Sequence, residues 1–160
     1  MWKYLIPIPV INTIESFVDS YRDQVEPVIG SVLYCDLAFG YMEHSGVYIG
    51  NNKIVHLNGG GEIEAVSPKG FIDCGTAVSI YVSCRDTNPV GSKQAAKRAK
   101  SMIGHSQNYN FILDNCHQFS SGCLSGDFKN AHSFLWMLKD ETSKRTEANT
   151  WRVWDIELFD

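Results

Sequence analysis

The chain has 160 residues, 44% of them hydrophobic and 20% charged, with a formal net charge of −4. This size suits one domain with a single core, and the composition excludes a disordered or low-complexity chain. The acidic balance argues against a nucleic-acid partner, which calls for a basic excess.

Five cysteines, an odd number with no CxxC pair, argue against a disulfide scaffold. Zinc-ligand spacing is missing too, so neither a metal nor a cofactor is expected. At least one thiol must be free, which points to a reducing, cytoplasmic compartment.

In chain order, the N-terminus "MWKYLIPIPVINTI" is apolar but broken by Pro7 and Pro9. It lacks a signal-peptide cleavage site and is too short to span a bilayer. It reads as a packed arm, with a weak peripheral membrane contact as the sharper alternative. Ile14, Phe17, Val18, Tyr21 and Val25 recur at spacings of three and four. That predicts a helix over 12–25, which Pro27 ends.

Residues 30–41 read as a strand turning at Gly40, and "HSGVYIG" and "KIVHLN" as two strands joined at "GNN". Residues 59–70 form a flexible connection around a short strand, 62–66. Residues 76–83 are a strand rich in β-branched side chains, and "RDTNPVG" is a loop. A helix follows from the N-cap Ser92 to the stop at Gly104. Its cluster Lys93, Lys97, Arg98 and Lys100 is expected to be a solvated face. Asp114 or Asn115 caps a helix that begins near Cys116 and stops by Gly122 to Gly126. "AHSFLWMLKDETS" is another helix, and the tail from Thr150 adds an edge strand or packs on the surface. Strands in succession and then helices predict α+β, with one domain over 1–160 and its core over 30–126.

Three residues carry chemistry together. Cys116 falls on the first turn of a capped helix, where the helix dipole and a neighbouring imidazolium lower a thiol's pKa. His44, on a strand, is the candidate base, and His56 the group that orients it. Taken singly, each has a plainer reading: a small buried hydrophobe for Cys116 and a hydrogen-bonded structural histidine for either of the others. A metal site on the same three is a weaker rival. His105, His117 and His132 are read as structural or exposed, with His117 pointing away from its neighbour Cys116 on the helix. Hairpin parity sets a condition. A plain two-residue turn at Asn51-Asn52 puts His44 and His56 on opposite faces of the sheet. A three-residue turn or a bulge puts His56 opposite Gly46, on the face of His44.

"EHSGVYIGNNKIVHLNGGG" and "DNCHQFSSGCLSG" resemble two motif blocks of lecithin:retinol acyltransferase-like proteins, "H-W-A-x-Y-x-G … x-V-I-H-L" and "N-C-E-H-F". These are circularly permuted members of the NlpC/P60 papain-like thiol hydrolases. The resemblance spans about Gly30 to Gly126. It implies a small antiparallel sheet packed against helices, with Cys116 as nucleophile, His44 as base and His56 as orienting residue. The backbone N–H of Cys116 is implied in an oxyanion hole, with Tyr41 and Asn115 as further oxyanion or substrate-binding candidates. Two departures stand out. Ser45 follows His44 where the family carries an aromatic residue, and His117-Gln118 replaces Glu-His after the cysteine. The vertebrate members' C-terminal hydrophobic anchor is not expected here.

The resemblance implies a cysteine-dependent hydrolase or acyltransferase that works through a thioester on lipid acyl esters or related amides. The alternatives are a peptide or amide hydrolase of NlpC/P60 type and a catalytically silent binding module. The apolar N-terminus and Trp136, Trp151 and Trp154 lean toward lipid.

Overall fold

A computed structural model of the chain describes residues 24–37, 42–73, 79–105 and 115–156. The described residues form an α+β domain: a small antiparallel sheet of seven strands and four helices. The strands are β1 (Val32–Leu37), β2 (Met42–Gly50), β3 (Lys53–Leu57), β4 (Ile63–Val66), β5 (Ile80–Arg85), β6 (Asn88–Pro89) and β7 (Thr150–Val153). The helices are α1 (Pro68–Ile72), α2 (Lys93–Met102), α3 (Cys116–Ser125) and α4 (Leu135–Thr146).

The sheet runs β4-β3-β2-β1-β5-β6, with β7 also on β5. Because Val82 pairs with both Leu33 and Arg152, and Cys84 with both Pro89 and Thr150, β1 and β6 share one edge of β5 and β7 holds the other. The tail thus supplies an edge strand, as one of its two predicted readings required.

The unbroken apolar run of β1 reflects burial on both faces. Val32 and Tyr34 pack with Ala95, Phe119 and Leu135 of the larger helices. Leu33 and Cys35 pack on the other side with Phe71, Ile80 and Trp154. Trp151 and Trp154, 6% and 4% exposed, belong to these cores. Of the three tryptophans read toward lipid, only Trp136 is exposed.

Several boundaries differ from those read in the sequence. Val25 forms a parallel bridge to Trp154 instead of closing a helix, and the rest of that predicted helix, apart from Gln24, lies outside the described residues. The connection after β4 contains α1: Ser67 accepts from the Gly70 N–H, and Pro68 suits the first turn. The loop "RDTNPVG" carries the two-residue strand β6. Ser92 caps α2 as expected, by accepting from the Ala95 N–H. Lys93, Lys97 and Lys100 form the solvated face, but Arg98 turns inward and donates to the Cys123 and Leu124 carbonyls, the orphan acceptors at the end of α3.

The β2–β3 hairpin decides where the histidines face. Asn51 and Asn52 both have positive φ, 52° and 54°, as a two-residue type I′ turn requires. Gly50 pairs with Lys53, yet the next pairs are Tyr48 with Ile54 and Val47 with Val55. Ile49 is therefore an extra residue, a bulge, and continuing the shifted register puts Gly46 opposite His56. The turn is short and the bulge supplies the parity.

Candidate functional site

Asn115, extended at φ −158°, caps α3 by accepting the Gln118 N–H through Oδ1 at 2.9 Å. Gly126, at φ 83°, closes the other end. The cap fixes Cys116 as the first helical residue, at the positive end of the helix dipole. The N–H groups of Cys116 and His117 have no acceptor within the helix, so they remain as donors for a developing oxyanion. Asn115 Nδ2 donates to the Ser133 carbonyl at 3.0 Å, so both ends of that side chain are committed. The side chain of Asn115, expected as an oxyanion or substrate-binding group, thus builds the helix start. Tyr41 lies outside the described residues.

His44 and His56 meet on one face of the sheet. His44 Nε2 is 2.5 Å from His56 Nδ1, and both rings lie against Phe71 of α1, at centroid distances of 4.9 Å and 5.8 Å. Gly46 makes this packing possible, since a Cβ there would lie 2.8 Å from the Val55 carbonyl and 3.1 Å from the Phe71 ring. His56 Nε2 in turn lies 3.0 Å from Glu64 Oε1, its cross-strand partner on β4. Burial and neighbouring His44 outweigh Glu64 and lower the His56 pKa, so His56 is neutral at neutral pH. The tautomers then follow. Glu64 can only accept, so His56 donates through Nε2 and accepts at Nδ1. His44 must donate through Nε2, which leaves its Nδ1 as the basic nitrogen.

The opposite parity of β2 brings a second imidazole to the thiol. Cys116 Sγ lies 3.8 Å from the Glu43 carbonyl oxygen and 3.9 Å from His117 Nδ1. His117 is 4% exposed, bonded through Nδ1 to Ser45 Oγ at 2.8 Å, with Nε2 3.8 Å from Glu43 Oε2. The expectation that His117 points away from Cys116 is thus corrected. The backbone rotation between successive helical residues holds, but the ring folds back to the β2 strand, where Ser45 and Glu43 draw it. Burial alone would push the Cys116 thiol up; the charge and hydrogen bond of His117, then those of His44, reverse this and hold it well below the usual range.

The remaining described histidines and cysteines stay outside this cluster. His132 bonds Ser121 through Nδ1 at 3.1 Å. Cys35, Cys84 and Cys123 are buried core thiols, as expected, and burial pushes Cys123 further up. Cys74 lies outside the described residues.

Glu64, Phe71, Glu43 and His117 are the site residues the sequence reading lacks. A signal existed for Glu64: pairing "KIVHL" with "IEAV" as a hairpin sets it opposite His56. Glu43 shares the face of Ser45 by simple alternation. No protein-family model matches the chain, and no curated protein is significantly similar to it.

Proposed function

We propose that the protein is a cysteine-dependent hydrolase or acyltransferase that works through a thioester acyl-enzyme on lipid acyl esters or related amides. We read its fold as the circularly permuted papain-like arrangement of lecithin:retinol acyltransferase-like proteins. One observation carries the reading: Cys116 starts a capped helix, its thiol held toward thiolate, beside a His44–His56–Glu64 relay.

In the first step the S–H proton passes to His44 Nδ1 and Sγ attacks the substrate carbonyl carbon. The C=O electron pair moves to oxygen, and the Cys116 N–H stabilises that oxyanion. Collapse breaks the bond to the leaving group, which takes the proton from His44, and the thioester remains. Water or an acceptor hydroxyl or amine then gives its proton to His44 and attacks the thioester, and the thiolate departs. His56 and Glu64 hold the His44 ring in the tautomer this cycle requires.

The burial of Trp151 and Trp154 favours keeping a peptide-like amide as the second substrate class, because two of the three side chains that leaned toward lipid belong to the core. Mass spectrometry after incubation with acyl lipids and with peptide amides tests both. The expected result is an acyl adduct on Cys116 and its complete loss in Cys116→Ala, with the circular dichroism spectrum retained. Turnover surviving in Cys116→Ala overturns the assignment. An unreactive Cys116 across the panel, alkylated by iodoacetamide no faster than an ordinary thiol, favours a silent binding module.

A further inference from the structure

Among the positions that depart from the motif blocks this chain resembles are Ser45 after His44 and His117 after Cys116, and these two touch. Ser45 Oγ lies 2.8 Å from His117 Nδ1 and 3.0 Å from Ser120 Oγ, and Ser45 and Ser120 are fully buried. Beyond them is a carboxylate that the mechanism above leaves unused. The Glu43 side chain is 6% exposed, one oxygen 3.8 Å from His117 Nε2. The other, Oε1, is buried without a hydrogen-bond partner among the described residues. Burying a carboxylate is costly unless a cation lies beside it. His117 is the group placed to supply that charge.

The sulfur meets β2 at its backbone, 3.8 Å from the Glu43 carbonyl. Side chains of both parities therefore reach it. His44 approaches from the face of Phe71, and His117, braced by Glu43 and Ser45, from the face of α3. This gives one thiol two imidazoles of different standing. His44 belongs to a relay whose next member is neutral, and its Nδ1 is open to gain and lose a proton. His117 has no such freedom, with a carboxylate at one nitrogen and the sulfur and a hydroxyl at the other.

We propose that His117, held protonated between the Cys116 sulfur and Glu43, is a fixed positive charge that keeps Cys116 as thiolate, separate from the acid–base role of His44. This deepens the thiol-enzyme reading and rests on it. The proton on His117 comes from solvent and stays there through the cycle. The proton of the thiol still passes from Sγ to His44 Nδ1, and the sulfur's electron pair is stabilised by the imidazolium 3.9 Å away. Ser45 accepts from His117 Nδ1–H and donates onward to Ser120, and Glu43 faces the other ring nitrogen at 3.8 Å. Glu43 is a positioning residue, acting on the sulfur only through His117. Burial alone would lower the His117 pKa; the Cys116 charge and then Glu43 raise it to about 9, in keeping with this role.

Among the described residues, few groups face this pair. From β2 come Glu43 and His44, and from β3 comes His56, whose outer nitrogen is bound to Glu64. From α2, Arg98 meets the far end of α3, and ahead of α4, His132 meets Ser121. Glu43 and His44 are therefore the comparisons that matter for a titration of Cys116.

The test is the pH dependence of Cys116 alkylation by iodoacetamide, with the modified residue identified by mass spectrometry. Wild type should show a midpoint below that of an ordinary thiol. His117→Gln should raise that midpoint by at least about one pH unit, a loss of roughly tenfold in thiolate on the acid side. Glu43→Gln should raise it in the same direction. His44→Gln should abolish turnover and leave the larger part of the lowering in place. An unchanged midpoint in His117→Gln, with a raised one in His44→Gln, overturns the proposal and leaves the thiol enzyme standing. An ordinary midpoint in wild type overturns the thiol reading itself, and this proposal with it. Should His117→Gln fail to fold, ring-nitrogen NMR of the intact protein decides. The His117 imidazolium should persist to about pH 9 and retreat toward its usual range in Cys116→Ala. A His117 that titrates in its usual range in wild type overturns the proposal.

Discussion

At the residue scale, the site is a set of groups whose protonation is fixed by their neighbours. His56 is the clearest case. It is buried between His44 and Glu64, and its pKa lies below the ordinary 6.5. Above that value His56 is neutral in both folded and unfolded chains, so it adds no pH dependence to stability. As pH falls below 6.5 the unfolded chain takes up a proton that the folded one refuses, and stability is lost until the lower folded value is passed. Urea denaturation at stepped pH should show this acid-side loss, and His56→Gln should flatten it. The same protonation turns His56 Nδ1 from acceptor to donor, against the donor of His44, so the relay and the fold weaken together. Cys116, His44 and His56 were legible in the sequence because their residue types, order and spacing survive without coordinates. Glu64 and Glu43 were not, because a carboxylate among 18 acidic residues has no signature until a strand partner is known.

At the scale of elements, two short devices aim these side chains. The first is the Asn115 cap, which starts α3 at Cys116 and is tied to the loop before α4 through Ser133. Asn115→Ala should cost about 1 kcal/mol of stability from the lost cap alone. It should also slow Cys116 alkylation on the acid side, because fraying of the first turn moves the thiol from the helix dipole and from His117. Chemical denaturation and the alkylation profile read the two effects separately. The second device is the β2–β3 hairpin. "GNN" announced a turn but not its form. The positive φ of both asparagines matches the strand twist and selects a two-residue loop, and the parity condition is met by the bulge at Ile49. A bulge carries no sequence mark of its own here, since Ile49 reads as any strand residue. Helix α1 escaped notice for a related reason: five residues are too few for a periodic pattern, and only Ser67-Pro68 hinted at a start.

At the scale of the whole molecule, the sheet is the partition that lets two imidazoles reach one sulfur by different routes. Its placement against the helices depends on a close backbone crossing. Gly30, at φ 86°, accepts the Ser92 N–H at the start of α2, and a Cβ on the adjoining Gly91 would lie 2.4 Å from the Ser31 nitrogen. Gly91→Ala should therefore lower Tm by several degrees, measured by calorimetry, since backbone on both sides must move to admit the methyl. An unchanged Tm would mean that the crossing is not under that constraint. The sequence by itself determined the α+β class, a cap at Ser92 and another at Asp114 or Asn115, a turn within Gly50-Asn51-Asn52 and the three residues of the central cluster. These rest on local propensity, periodicity and spacing, which act over a few residues. Only the tertiary structure decided that His44 and His56 share a face, that Glu64 completes their relay and that His117 folds back to the thiol between Ser45 and Glu43. Those outcomes depend on strand register, on one bulged residue and on the burial of groups far apart in the chain, and no local pattern encodes them.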